Sequence, residues 1–142
     1  MANTIGNFER QLCDIQGRLF ELSLEKGLDS ADFIKKFMNS KTCEYLDLPY
    51  DRLQWAGEEY ILDNLLFEID VTAAADKQYS REVMFWMGYV YRYWHLQDSE
   101  SSSNIFKKAD AGLMNQCYLG FHSLDVPMAI ADLKEISCQE NK

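Results

Sequence analysis

The stretch VMFWMGYVYRYWHL, Val83 to Leu96, decides how the rest of the chain is read. All of its residues but Gly88, Arg92 and His95 are apolar or aromatic. A membrane-spanning helix needs about 20 predominantly apolar residues. This run is shorter and is flanked by SRE and QDSE, so it reads as a buried helix and not as a span. A helix that is apolar nearly all round belongs inside a globule, with other helices packed about it. Ser80 is placed to cap it, and Glu82 falls in the first turn, where a carboxylate complements the helix dipole.

Working outward towards the N-terminus, Phe8, Leu12, Ile15, Leu19 and Leu22 recur at steps of four and three. That spacing predicts a helix from Phe8 to about Lys26, capped by Asn7 and stopped by Gly27. Gly17 falls in its middle, either as a point of close approach or as a tolerated cost. Asp29 or Ser30 caps a second helix, whose stripe is Phe33, Ile34, Phe37 and Met38 and whose end is near Asn39 and Ser40. CEYLDL reads as a turn leading to Pro49. A third helix is expected after Pro49, through QWAGEEYILDNLLFEI. Its broad apolar side carries Leu53, Trp55, Ala56, Tyr60, Ile61, Leu62, Leu65 and Leu66, and its outer side Glu58, Glu59, Asp63 and Glu68. DVTAAADKQY is read as a loop with at most one helical turn.

Towards the C-terminus, QDSESSSN is polar and serine-rich, the expected mobile loop, and caps a short helix at Asn104–Lys108. A fifth helix is predicted from Asp110 to Leu119, with Gly120 as its stop. A sixth starts near Asp125, with Pro127 in its first turn and Val126, Ile130, Leu133 and Ile136 on one face. No segment alternates apolar and polar residues, and none carries a hairpin turn signal. The expected fold is all-α, one domain over residues 1–142. It is a bundle of about six helices around a central aromatic-rich helix, with residues 138–142 frayed.

The net charge of −9, from 14 Lys+Arg against 23 Asp+Glu, argues against nucleic-acid binding. Nucleic-acid binding draws its affinity from cations that neutralise phosphates, and the only basic clusters are the doublets Lys35–Lys36 and Lys107–Lys108. An acidic surface does fit a basic protein partner. The four cysteines, at 13, 43, 117 and 138, show no C-x-x-C spacing, and MANTIGNFERQL has neither part of a signal peptide. Reduced thiols, a cytoplasmic location and no membrane association are therefore expected. No metal or cofactor is expected: there is no H-E-x-x-H, EF-hand, P-loop or G-x-G-x-x-G pattern, and neither His95 nor His122 belongs to a Glu-x-x-His motif.

No catalytic residues emerge. Cys117 and His122 could meet across Gly120, but a cysteine on a helix face is far more often packing than nucleophile. Arg92 and His95 share one face of the Val83–Leu96 helix with Gly88 and Ser99. A buried Arg92 must find an acceptor, such as an acid of the third helix or a helix C-terminus. If part of this helix is left uncovered, Tyr89, Tyr91, Arg92, Tyr93, Trp94 and His95 would form a partner-binding patch of hot-spot composition.

The blocks EKGLDSADFIKKFMNS, QWAGEEYIL, MGYVYRYWH and MNQCYLGFHSLDVPMAIADLKE add a resemblance over about residues 10 to 135, most specific at GYVYRYW. The chain resembles small bacterial all-helical proteins encoded beside ADP-ribosyltransferase-like toxins, in cassettes similar to toxin–antitoxin loci. The resemblance implies an antitoxin or immunity role by direct binding to such a toxin, and it carries over no catalytic residue. The expectation is thus a non-enzymatic protein-interaction module, with homo-oligomers left open. The alternative is a small enzyme or ligand-binding bundle with an anion site near Arg92 and His95.

Overall fold

The structure is a computed structural model and describes residues 5–49, 52–74 and 78–140. Among these residues it is all-α: eight α-helices, one short 3₁₀ turn and no strand. The helices are α1 (Asn7–Glu25), α2 (Ser30–Met38), α3 (Lys41–Asp47), α4 (Glu58–Glu68), α5 (Arg81–Asp98), α6 (Ser102–Lys108), α7 (Ala111–Phe121) and α8 (Val126–Glu140). The 3₁₀ turn is Arg52–Trp55.

The α1–α5 pair is the main packing interface, and α6, α7 and α8 also pack on α5. Two glycines set the approach. A Cβ on Gly88 would lie 2.5 Å from the backbone oxygen of Gln16, and one on Gly17 would lie 2.8 Å from the ring of Phe85. A side chain at Gly88 would push the helices apart and one at Gly17 would have to displace the Phe85 ring, so the mid-helix cost of glycine is offset by close packing. Around this crossing Leu19, Phe20, Phe33, Phe37, Met87, Tyr91 and Trp94 are buried in one apolar cluster. Phe20 meets the edges of Phe33 and Phe37 at 5.3 and 5.7 Å, an arrangement that ring quadrupoles favour.

Several local expectations need correction. The α1 N-cap is Gly6, whose N–H donates to Glu9 Oε1 at 2.9 Å, and Asn7 is already helical. CEYLDL is not a turn but most of α3. The Ser40 hydroxyl accepts from the Cys43 amide, and the Glu68 carboxylate accepts from the amides of Lys41 and Thr42 and from the Thr42 hydroxyl. A carboxylate 26 residues away thus satisfies amides that the first helical turn leaves open. The single helix expected after Pro49 is broken at Gly57, whose φ of +83° lies in the left-handed region and makes it the N-cap of α4. Gly120 does not stop α7, which runs on to Phe121. The expected frayed tail is helical through Glu140, and residues 141–142 lie outside the described residues.

The described part of DVTAAADKQY is extended; residues 75–77 lie outside the described residues. Leu28 and Ala73 form an isolated antiparallel bridge, with Asp29 N donating to Thr72 O and Ala74 N to Gly27 O, both at 2.8 Å. Among the described residues, no helix is long and apolar enough to cross a membrane.

Candidate functional site

Arg92 lies on α5 with its side chain 2% exposed. Burying a guanidinium is tolerable only when its N–H groups find acceptors. Its Nε donates to Gln16 Oε1 at 2.8 Å, Nη1 to Asp47 Oδ1 at 2.7 Å and Nη2 to Cys43 Sγ at 3.5 Å. Burial pushes the guanidinium down, but Cys43 and Asp47 outweigh it and hold it above its ordinary value. The acid came from α3, the segment read as a turn, and not from the helix after Pro49.

Asp47 ends α3 and joins three elements. Besides Arg92, Oδ1 accepts from the Ser102 hydroxyl at 2.7 Å, and Oδ2 accepts from the Ser102 amide at 2.9 Å. Gln16 extends the network, donating from Nε2 to Gly88 O at 3.0 Å. The cluster therefore ties α1, α3, α5 and α6 together. A charged pair of this kind costs desolvation, which charge-assisted hydrogen bonds at every partner offset.

His95 lies one turn further along α5. Its Nδ1 is 2.6 Å from Glu100 O and its Nε2 is 3.0 Å from Asp47 O. Both partners are carbonyl oxygens, so a ring nitrogen that carries the N–H donates to the one it faces. The Asp47 Oδ1 lies 3.7 Å from Nδ1. The tight return at Glu100 is set by Ser99, which closes α5 at φ 55°. The serine-rich loop expected to be mobile is hydrogen-bonded along its length. Ser101 caps Asn104, Ser102 binds Asp47, and the Ser103 hydroxyl donates to Asn39 Oδ1 at 3.0 Å.

The six residues expected to form a partner-binding patch on this helix differ in burial. Tyr91, Arg92, Tyr93 and Trp94 are buried, and Tyr89 and His95 are half-buried. The Tyr91 hydroxyl donates to Ala109 O at 2.6 Å, and burial raises the phenol well above its ordinary value. Helices on several sides of α5 cover what its composition suggested would be left open. Each nitrogen of Arg92 and His95, where the alternative reading places an anion site, faces a protein partner.

Burial pushes the thiols of Cys13 and Cys43 up to about 12, with Arg92 pulling in the other direction, so neither is a thiolate near neutrality. His122 stacks on Tyr118 at 4.4 Å, with Nδ1 2.7 Å from Tyr118 O. Among the described residues, no group of three or more His, Cys, Asp or Glu could hold a metal ion.

What the sequence missed lies beside the cluster. A groove of about 640 Å³ runs over Phe8, Leu12, Pro49 and Leu96, with Asp47 and His95 in its wall. Phe8 and Trp55 stack at 4.8 Å, and Trp55 is 70% exposed. By spacing, both residues sit on apolar stripes; the signal against this for Trp55 is Gly57, which separates it from α4.

No protein-family model, curated protein or solved structure matches this chain.

Proposed function

We propose that the chain is a non-enzymatic protein-interaction module of antitoxin or immunity type, which works in the cytoplasm by direct binding. The partner implied by the sequence resemblance is an ADP-ribosyltransferase-like toxin encoded beside it. The observation that carries the reading is the exposed Phe8–Trp55 pair at the edge of an apolar groove. Exposed tryptophan and phenylalanine beside a concave apolar surface match the anchors of protein interfaces. The net charge of −9 favours encounter with a basic partner.

The test is co-expression with the product of the adjacent open reading frame, tagged for capture. The wild-type chain should co-purify as a stoichiometric complex. The double variant Phe8→Ala, Trp55→Ala should lose that complex while keeping its helicity and melting temperature. Full retention of the complex by the folded double variant would remove this surface from the interface. No complex at all would end the reading.

A further inference from the structure

A second unpartnered surface lies on α4. Its inward side is Ile61, Leu62 and Leu65, which pack towards α1 and α3. Its outward side is Glu59, Tyr60, Asp63 and Phe67, with Leu66 alongside. Residues 60, 63 and 67 follow at steps of three and four, so they stand in one row. Phe67 is 96% exposed and Tyr60 is 52% exposed, with the Asp63 carboxylate between them. A lone exposed apolar residue is ordinary, but two aromatic rings bracketing an acid in one row is a patterned surface.

Charge decides what fits. No Lys or Arg occurs from Ala56 to Asp76, while Glu58, Glu59, Asp63, Glu68 and Asp70 all lie on or just beyond α4. Of the cations from other elements, Lys41 bears on Glu68 at the end of α4, and Arg18 and Lys36 are already engaged. Arg18 pairs with Asp14 and Glu58. Lys36 pairs with Asp32 and donates to Asp70 O. A second copy of the chain would set like charges opposite one another in any self-complementary pairing of this face. An anionic membrane or a nucleic acid meets the same repulsion.

We propose that the outer face of α4 docks a basic, amphipathic helical segment of a protein partner, with an Arg or Lys side chain seated between Tyr60 and Phe67 and paired with Asp63 and Glu59. The ring faces attract the cation and the carboxylates neutralise it, while apolar residues of the segment cover Leu66 and Phe67. The proposal rests on the partner-binding reading but concerns a different face from the Phe8–Trp55 groove.

The probe is a helix-forming peptide of about 18 residues, long enough to hold a helix in water. It carries Arg and Leu on one face, and its counterpart has Glu in place of Arg. Titrated into the ¹⁵N-labelled full chain, the Arg peptide should shift amide resonances between residues 58 and 70, and its affinity should fall with added salt. Asp63→Lys and Phe67→Ala should each weaken binding about tenfold, the scale of one lost cation–π or charge contact. Glu135→Lys on α8 matches the charge change of Asp63→Lys and should leave affinity nearly unchanged. Equal weakening by Glu135→Lys would reduce the effect to net charge and overturn the proposal. Binding of the Glu peptide, or shifts confined to the Phe8–Trp55 groove, would also overturn it. So would a concentration-dependent dimer abolished by Phe67→Asp, which would assign the face to self-association. If the complex with the adjacent gene product is lost in Phe8→Ala, Trp55→Ala but the α4 variants bind neither worse nor better, the interaction reading stands and the α4 proposal falls.

Discussion

Tyr91 and Trp94 of α5 and Tyr60 and Phe67 of α4 are all aromatic residues on helices, yet they end in opposite environments. The α5 pair has no measurable exposure, and the α4 pair faces outward. The difference lies in what surrounds each helix. Helix α5 is packed by α1, α6, α7 and α8, whereas α4 lies mainly against α1 and α3. The number and placement of neighbouring helices, not aromatic content, separates an interior from a surface. The same contrast divides the polar groups. Arg92 is fully committed inside, and the carboxylates of Glu59 and Asp63 are displayed outside.

This contrast can be broken most forcefully at α5. Trp94→Ala should cost about 3–5 kcal/mol, the range for deleting a fully buried large ring, read from chemical denaturation. Arg92→Ala should cost a similar amount, about 3–5 kcal/mol, because Asp47 would be left in a largely buried site without its cationic partner. An unchanged denaturation midpoint for either variant would contradict the assignment of α5 to the interior.

The α1–α5 crossing comes next. Gly88→Ala sets a Cβ against the backbone of Gln16, which cannot move aside as a side-chain tip could, and about 1–3 kcal/mol should be lost.

A smaller effect is expected where α4 caps α3. Burial raises the Glu68 carboxyl, but hydrogen bonds from Lys41 and Thr42 outweigh it and hold it below its usual range. A depressed folded-state value gives stability that is present above the ordinary carboxylate range and is lost as pH falls through the folded value. Acid titration of stability should therefore be shallower in Glu68→Gln than in the wild type. Smallest of all, Trp55→Ala and Phe67→Ala should change stability by no more than about 0.5 kcal/mol, since neither side chain fills the core. A loss as large as that of Trp94→Ala would erase the contrast between the two regions.

Much of the architecture was legible. The spacing of Phe8 to Leu22 gave α1, the Ser80 cap and the following apolar run gave α5, and Val126 to Ile136 gave α8. These elements are long, and their signals are local. Helix α3 was not legible, because part of its N-terminal capping comes from Glu68, far away in sequence. The candidate surfaces were not legible either. Trp55, Tyr60 and Leu66 sit on an apolar stripe by spacing, but all three are exposed: Gly57 separates Trp55 from α4, and α4 turns only Ile61, Leu62 and Leu65 inward.

The sequence by itself determined that this chain is helical, that Val83–Leu96 is too short and too flanked by charge to span a membrane as a helix, and that a buried Arg92 must have an acceptor. Those conclusions rest on periodicity, length and the cost of an unpaired charge, all of which act within a few residues. Only the tertiary structure decided that the acceptor is Asp47, that Gly17 and Gly88 mark where two helices meet, and that Phe8, Trp55, Tyr60 and Phe67 are among the open aromatic rings. Burial is a property of what lies across from a residue, and the chain brings those partners from tens of residues away.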